Sequence, residues 1–446
     1  MPVTKKFAGR FLCVLFAICV FFTQMLGNVY AAPAIFPQPF DVDAEIVYMI
    51  NLDTGLVVYE KNSTTQWSPA SITKLMTAIL AFENIQDLDA STLTMPRYAQ
   101  DMLYGMNSST ADIRPGESLS AREMLYALLL PSAGEAAITI ADYVGGGSVE
   151  TFVSMMNARA AELGCTATHF SNPHGLYDPE NYSTAQDIAI IAQHAMSLPG
   201  FAEIVKTLSY TLPENPRYPN GWVILNTNKM LMTAWPDYYR IYIQGIKTGY
   251  LDESGYNFVS TAVLGGESYL IVVLGAHGDD TWPHFRVTAQ LCDWAFENFS
   301  VMPALDTAQA ITEVPVRYSK EVDSLLLYPA DELLTLLPNE SDATTIQQTF
   351  NLPEVVSAPV QAGDIIGTVT LRLAGQEIGT VDLLAGQSVE RNLILFVIAK
   401  IGEFFSSLYF KVFMTLLVIA VVIYIIYIVH LQRRNEKMKK VRRYHR

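Results

Sequence analysis

The fold and the chemistry of the chain depend on the nine residues from Pro69 to Thr77, which read PASITKLMT. The first residues are typical of a loop, and the apolar stripe that follows to about Phe82 predicts a helix. Ser71 opens this helix and Lys74 comes three residues later, so both side chains lie on one helix face. The stretch therefore predicts a serine and a lysine in contact at a helix N-terminus.

A serine beside a lysine is a candidate pair for nucleophilic catalysis. A serine hydroxyl attacks a carbonyl carbon well only when a neighbouring group accepts its proton. A lysine can accept that proton when burial or a second cation lowers the pKa of its amine. The pattern Ser-x-x-Lys should arise by chance about once or twice in a chain of this length. A serine and a lysine with purely structural roles therefore remain the alternative.

Two further motifs give the pair a context. Ser132-Ala133-Gly134 lies between two predicted helices, the first of which opens at a capping box, Ser120–Glu123. Lys247-Thr248-Gly249 lies at the end of a predicted strand, Ile241–Thr248. Ser132 as a helix N-cap and Lys247 as an exposed lysine in a bend are the structural alternatives.

Hydrophobic periodicity predicts an α+β fold for residues 34–300, with a cluster of helices packed on a mostly antiparallel sheet. Two short strands flank the turn Asp53-Thr54-Gly55, and Gly265-Gly266 predicts a β-hairpin. Residues 94–119 are predicted to be irregular, with short extended pieces.

The remaining segments predict a protein held at a membrane. Residues 305–390 carry short alternating runs, which predict a small all-β domain, a β-sandwich. Residues 391–411 predict an amphipathic helix at the membrane surface, 412–431 a transmembrane helix, and 432–446 a basic tail. Because lysine and arginine favour the cytoplasmic side, the tail should lie inside and the bulk of the chain outside. Residues 1–32 predict a signal peptide, with an uncleaved anchor as the alternative.

Charge and cysteine content exclude several classes of function. Removing the basic and acidic residues of the signal and the tail leaves 18 basic and 43 acidic residues, a net charge of −25, in residues 33–432. So acidic a body is a poor partner for nucleic acid. The cysteines beyond the signal are Cys165 and Cys292, which are too few for a disulfide framework. The sequence leaves open whether they form one disulfide or remain two separate buried thiols. The chain has no His-Glu-x-x-His or Cys-x-x-Cys motif, so no metal is expected.

The order and context of the motifs match a known set, S-x-x-K, S-x-N and K-T-G, here Ser71-x-x-Lys74, Ser132-x-Gly134 and Lys247-Thr248-Gly249. Residues 34–390 resemble the D-alanyl-D-alanine carboxypeptidases among the low-molecular-weight penicillin-binding proteins. Asn172–Leu176 and Ser183–Ala185 are similar to that family's characteristic loop and following helix. The resemblance implies the fold of the DD-peptidases and serine β-lactamases. It also implies removal of the terminal D-alanine from peptidoglycan stem pentapeptides, with β-lactam antibiotics as covalent inhibitors.

The resemblance also implies a role for each catalytic residue. Ser71 would attack the carbonyl carbon of the D-Ala-D-Ala bond and form an acyl-enzyme. Lys74 would act as the general base, its pKa held down by burial and by Lys247. Ser132 would relay the proton towards the leaving amine. No metal or organic cofactor would take part.

Substrate binding is implied for the third motif. Lys247 and Thr248 would face the free carboxylate of the substrate, and Gly249 would let the substrate backbone lie along the strand edge. The backbone N–H groups of Ser71 and Tyr250 would form the oxyanion hole.

One position departs from the family pattern, because Gly134 stands where the second motif has asparagine. The loss of one such hydrogen bond could cost about 1–3 kcal/mol, and Glu135 or a water molecule is a candidate substitute. This departure favours one alternative to a carboxypeptidase, a weakened or inactive homologue that binds wall peptides or partner proteins. A DD-endopeptidase or a β-lactamase that uses the same site is a separate alternative, and the second β domain and the membrane span disfavour the β-lactamase. His174 is expected to be a structural loop residue.

Overall fold

The computed structural model describes residue 36, residues 38–341 and residues 345–443, with side chains described as far as residue 434. The predicted signal peptide lies outside the described residues. The chain divides into two compact units. Of the described residues, the first unit contains those up to 302 and a returning segment that begins at 335, and the second contains 303–334 and those from 345 onward.

An antiparallel sheet forms the centre of the first unit. The strands of this unit are β1 (Ala44–Asn51), β2 (Val57–Lys61), β3 (Thr92–Thr94), β4 (Ser118–Ser120), β5 (Ser209–Leu212), β6 (Trp222–Leu225), β7 (Lys247–Leu251), β8 (Gly255–Leu264) and β9 (Glu267–Ala276). Five of them form one sheet in the order β2-β1-β9-β8-β7, while β3 pairs with β4 and β5 with β6. β8 and β9 meet at Gly265 and Gly266, whose φ angles of 64° and 94° suit glycine. The predicted hairpin is confirmed.

Eight helices of the described residues belong to this unit. They are α1 (Lys74–Asn84), α2 (Arg97–Leu103), α3 (Ala121–Leu129), α4 (Gly134–Val144), α5 (Val149–Glu162), α6 (Ala185–Ser197), α7 (Phe201–Lys206) and α8 (Pro283–Asn298). The capping box that was predicted for Ser120 and Glu123 opens α3 with both of its hydrogen bonds. α1 is buried from Lys74 to Ala81 and packs against α3, α4, α5 and α6. The helix that carries the candidate lysine is therefore the central helix of the core.

Two local predictions were wrong. α2 lies inside residues 94–119, which were predicted to be irregular. Only Ala99 of this helix is buried, so its sequence has no apolar stripe to indicate a helix. The segment predicted as a strand from Ile241 is not a regular strand until Lys247, although its alternating isoleucines imitate one. The Lys-Thr-Gly motif accordingly begins strand β7 instead of ending a strand.

The second unit is built from β-strands. The strands from residue 299 onward are β10 (Phe299–Leu305), β11 (Thr312–Arg317), β12 (Ser324–Pro329), β13 (Leu333–Pro338), β14 (Gln347–Asn351), β15 (Val356–Ser357), β16 (Ile365–Leu373) and β17 (Gln376–Ala385). Six form one sheet in the order β14-β16-β17-β12-β11-β15, and β10 pairs with β13. The predicted fold class, a helical and antiparallel domain followed by a small all-β domain, is confirmed.

Two apolar helices follow the sheet, α9 (Leu393–Ser406) and α10 (Leu408–Arg443). Asn392 caps α9 by accepting from the N–H groups of Ile394 and Leu395. α10 carries a stretch, Leu408–Arg434, with a mean hydropathy of 3.0, long and apolar enough to cross a membrane. Among the described residues it is the one helix with these properties.

Candidate active site

Ser71 lies in a tight turn at the start of the central helix. Residues Ala70–Thr73 form a turn of 3₁₀ helix that runs directly into α1. Ala70 has a φ of 51°, in the left-handed region that a residue with a Cβ rarely adopts. Such strain persists only where neighbouring contacts hold it. The turn before Ser71 is therefore held by the surrounding structure.

Two glycines press against this turn. A Cβ on Gly175 would lie 2.0 Å from the carbonyl oxygen of Ala70, and Gly175 itself has a φ of 78°. A Cβ on Gly249 would lie 3.1 Å from the backbone nitrogen of Ser71 and 3.1 Å from the Cβ of Ala70. Only glycine lets β7 and the loop at residue 175 approach so closely. The Ser71 N–H consequently lies against the backbone of β7, where the Tyr250 N–H was predicted to join it.

Lys74 contacts Ser71 as the spacing predicted. The Nζ of Lys74 lies 2.9 Å from the Oγ of Ser71 and 2.5 Å from the carbonyl oxygen of His174, to which it donates. Lys74 is 2 % exposed. Burial lowers the pKa of its amine to about 7, while the negative charge of Glu135 acts in the opposite direction. A large fraction of Lys74 is therefore neutral near neutral pH and able to accept a proton.

Lys247 is a second buried amine that interacts with Lys74. Lys247 is 1 % exposed, and burial followed by the charge of Lys74 holds the pKa of its own amine well below its usual value. Burial is the largest cause that lowers the pKa of Lys74. Repulsion between two neighbouring amines disfavours the charged form of each.

The loop Asn172–Leu176 clamps the start of α1. The carbonyl oxygen of Pro173 accepts from the hydroxyl of Thr77 at 2.6 Å, one residue before the carbonyl of His174 accepts from Lys74. His174 is buried, and burial, then the charge of Lys74, lowers its pKa to about 3, so its ring is neutral. The ring accepts a hydrogen bond from the backbone N–H of Leu176 at Nδ1. His174 thus positions Lys74 through its backbone carbonyl, a contact that the sequence did not indicate.

Ser132 lies in the connection between α3 and α4. Its φ of 67° is in the left-handed region, and the residue is 4 % exposed. Its Oγ is buried and has no hydrogen-bond partner among the described residues. The alternative that Ser132 caps α4 is wrong, because Ala133 occupies the N-cap position. A buried hydroxyl without a partner is costly, which is expected of a group that awaits a substrate.

The third motif borders the same cleft from β7. The hydroxyl of Thr248 lies 2.7 Å from the hydroxyl of Thr227, a residue that no motif indicated. The Nζ of Lys247 donates to the carbonyl oxygen of Thr248 at 2.9 Å. Lys229 also borders the cleft, with its ammonium 5.2 Å from the centre of the Trp235 ring. The structure thus adds a hydroxyl and a cation that sequence reasoning missed.

These elements enclose a cleft of about 820 Å³. Six of the predicted site residues line it, namely Ser71, Lys74, Ser132, Thr248, Gly249 and Tyr250. Lys247 and Gly134 are buried and are not among the residues that line the cleft. Cys165 and Cys292 are separate buried thiols.

Glu135 does not replace the missing asparagine. Its Oε1 accepts from the hydroxyl of Thr110 at 2.6 Å and from the N–H groups of Ala111 at 2.7 Å and Ile113 at 3.4 Å. The carboxylate is buried and faces this loop. Glu135 therefore anchors the loop, and the expectation that it could substitute for the asparagine is wrong.

Sequence comparison places both units in known families. Residues 33–278 match the D-alanyl-D-alanine carboxypeptidase family, and residues 296–391 match the C-terminal domain of penicillin-binding protein 5. The D-alanyl-D-alanine carboxypeptidase DacF of Bacillus subtilis is 29% identical over 81% of this chain and 90% of its own. The D-alanyl-D-alanine carboxypeptidase DacC of Escherichia coli is 28% identical over 82% of this chain and 90% of its own.

Solved structures agree with this assignment. Penicillin-binding protein 5 of Haemophilus influenzae is 25% identical and superposes with a TM-score of 0.62. The superposition covers 80% of this chain and 100% of the Haemophilus influenzae chain. A peptidoglycan synthesis regulatory factor, PBP3, of Streptococcus pneumoniae is 27% identical with a TM-score of 0.59, covering 79% of this chain and 100% of its own. The predicted resemblance and enzyme class are confirmed. The chain belongs to the D-alanyl-D-alanine carboxypeptidase family of low-molecular-weight penicillin-binding proteins.

Proposed function

We propose that this chain removes the terminal D-alanine from peptidoglycan stem pentapeptides through an acyl-enzyme on Ser71, and that penicillins acylate the same serine. The observation that carries the proposal is the contact between Ser71 Oγ and Lys74 Nζ, 2.9 Å apart on the wall of the cleft. Burial gives the lysine a pKa of about 7, so the amine can take the serine proton at neutral pH.

The reaction begins when Ser71 Oγ attacks the carbonyl carbon of the D-Ala-D-Ala bond and its proton passes to Lys74. The oxyanion accepts hydrogen bonds from the N–H groups of Ser71 and Tyr250. The C–N bond then breaks, and the proton returns from Lys74, through the unpartnered hydroxyl of Ser132, to the leaving amine. A water molecule hydrolyses the ester with Lys74 again as the base, which regenerates Ser71.

The free carboxylate of the substrate binds beside Thr248. The hydroxyls of Thr248 and Thr227 form a pair that can donate to it. Lys247 is buried next to Thr248, and its Nζ donates to the carbonyl oxygen of Thr248. A bound carboxylate raises the pKa of a nearby amine, so the substrate favours the charged form of Lys247. Lys229 supplies a second cation at the same cleft. A site built this way selects a chain end over an internal peptide bond.

The test uses the detergent-solubilised full chain and two pentapeptides that differ only at the C-terminus, one with a free carboxylate and one with a carboxamide. We expect D-alanine release from the acid and at least about tenfold slower cleavage of the amide, because the amide cannot pair with a cation. Penicillin should add its mass to the peptide that contains Ser71, as read by intact-mass analysis and peptide mapping.

Three other outcomes would contradict the proposal. Peptide binding without D-alanine release or a penicillin adduct would identify a binding homologue. Cleavage of crosslinked peptides in preference to the pentapeptide would identify an endopeptidase. Rapid turnover of penicillin without a lasting adduct would identify a β-lactamase.

We also propose that the chain is exported by the signal peptide of residues 1–32 and crosses the membrane once through α10. The apolar stretch Leu408–Arg434 supports the crossing, and the basic residues that follow support a cytoplasmic tail. Protease added to intact protoplasts should remove the catalytic unit and leave an epitope tag fused at the C-terminus protected. Digestion of the tag in intact protoplasts would reverse the orientation.

A further inference from the structure

The side-chain position of the missing asparagine is already occupied in this protein. Gly134 is the first residue of α4, and a Cβ built on it would lie 2.2 Å from the Oγ of Ser108. The same Cβ would lie 3.3 Å from both methyl groups of Leu103. Any side chain at position 134 would therefore have to displace the hydroxyl of Ser108.

The loop that carries Ser108 is fastened to α4 by its backbone. The N–H of Gly134 donates to the carbonyl oxygen of Ser109 at 2.9 Å. Two residues later the N–H of Ala111 donates to the carboxylate of Glu135 at 2.7 Å. Gly134 thus provides the space for Ser108, and the next residue, Glu135, anchors the loop that fills it.

Ser108 borders the cleft beside the catalytic residues. It lines the same cavity as Ser71, Lys74 and Ser132, and it is half-buried. Its hydroxyl donates to the carbonyl oxygen of Ser109 at 3.2 Å, a long hydrogen bond that leaves both acceptor lone pairs of the Oγ free. A hydroxyl can also rotate and donate to a substrate carbonyl, so it can bind either the N–H or the C=O group of a peptide bond.

We propose that Ser108 binds the backbone amide of the acyl donor in place of the asparagine of the second motif. This inference rests on the proposed function and assigns a substrate-binding residue to it. Gly134 is then the partner that makes room for Ser108, and its presence does not indicate an inactive enzyme. The recognised ligand is a peptide or β-lactam amide that lies along the cleft.

A double-mutant cycle tests the proposal on the full chain. Acylation by penicillin and D-alanine release are measured for the wild type, Gly134→Asn, Ser108→Gly and the doubly substituted chain. Each single variant should lose about tenfold in kcat/KM, the rate equivalent of one hydrogen bond. The double variant should return to within about threefold of the wild type, because the asparagine amide enters the space that Ser108 leaves.

Ser108→Ala isolates the hydroxyl, with Ser154→Ala as the matched control. Ser154 also donates to a backbone carbonyl, that of Glu150 at 2.9 Å, but it lies on α5 outside the cleft. Ser108→Ala should lower kcat/KM by about tenfold and leave the melting temperature unchanged. Ser154→Ala should change neither quantity.

The role of Ser108 and the proposed function can be disproved separately. Wild-type acylation with an unchanged rate in Ser108→Ala, or losses that simply add in the double variant, would overturn the role of Ser108 alone. A wild-type chain that neither releases D-alanine nor forms an adduct would overturn the proposed function and the role of Ser108 with it.

Discussion

Replacement of Lys74 by methionine is expected to lower the rate of acylation by penicillin and by peptide about 10³-fold, the usual contribution of a positioned general base. Methionine fills most of the volume of the lysine side chain but cannot accept the proton of Ser71. It also removes a buried ammonium group, so the helix should remain folded. Stopped-flow or quench-flow measurement of acylation in the full chain checks the rate, and circular dichroism checks the fold.

A matched control is Lys206→Met, since Lys206 is exposed at the end of α7 and does not line the cleft. This variant should keep the wild-type rate. Acylation by Lys74→Met within about tenfold of the wild type would show that another group takes the serine proton.

The same lysine gives the reaction a pH dependence. With a pKa of about 7, Lys74 is protonated below that pH and cannot act as a base, so wild-type acylation should rise as pH increases through about 7. The ionisable groups around Lys74 are Glu135, whose negative charge opposes the shift, the buried amine of Lys247, and His174, whose pKa of about 3 keeps its ring neutral across this range. Lys74→Met should lose this rise, and a wild-type rate independent of pH between 6 and 8 would contradict the assignment.

The shifted pKa of Lys74 also makes the free energy of unfolding depend on pH. In the unfolded chain the lysine has its ordinary pKa of 10.5, so between about 7 and 10.5 the unfolded state holds a proton that the native state lacks. Lys74 therefore makes the free energy of unfolding rise with pH across this window.

The largest effect on stability is expected from Gly175→Ala. The new Cβ would lie 2.0 Å from the carbonyl oxygen of Ala70, and the φ of 78° disfavours any residue with a Cβ. We expect the free energy of unfolding to fall by about 3 kcal/mol or more, from strain at φ together with displacement of the loop. Acylation should fall as well, because the loop carries the carbonyl of His174 that positions Lys74.

Gly146→Ala separates the strain of the left-handed φ from the steric clash of the new Cβ. Gly146 has a similar φ of 66°, but nothing lies within 4 Å of the position of its Cβ. The free energy of unfolding of this variant should fall by only about 1–2 kcal/mol, the cost of the left-handed conformation. Equal losses in the two variants would show that Gly175 matters for its φ alone.

Urea unfolding followed by tryptophan fluorescence reports these changes on the catalytic unit of the full chain. All 5 tryptophans of the sequence belong to the first unit. They are Trp67, Trp222, Trp235, Trp282 and Trp294.

Local sequence signals predicted a large part of the fold. The apolar stripe of α1, the capping box at Ser120 and the glycine pair at residues 265 and 266 each act over a few neighbouring residues, so their patterns can be interpreted without the rest of the chain. The short helix α2 escaped prediction because it buries a single residue.

One part of the candidate site was predictable from local spacing, and another part depends on residues far apart in the sequence. The spacing of Ser71 and Lys74 is local, and the contact at 2.9 Å follows from one turn of helix. The interpretation of Gly134 as a loss was incomplete, since a glycine motif says nothing about which distant side chain occupies its space. Ser108, 26 positions earlier in the sequence, lies there because two backbone contacts hold its loop.

The sequence by itself determined the candidate nucleophile and its candidate lysine, the order of the three motifs and the apolar helix that follows the β unit. Only the tertiary structure decided how basic Lys74 is, that the carbonyl of His174 contacts it, and that Lys247 is buried. The physical reason is that a pKa, a buried contact and a filled space all depend on burial by residues far away in the chain. Sequence spacing specifies neighbours along one helix, whereas the dielectric and the packing around them are set by the whole folded unit.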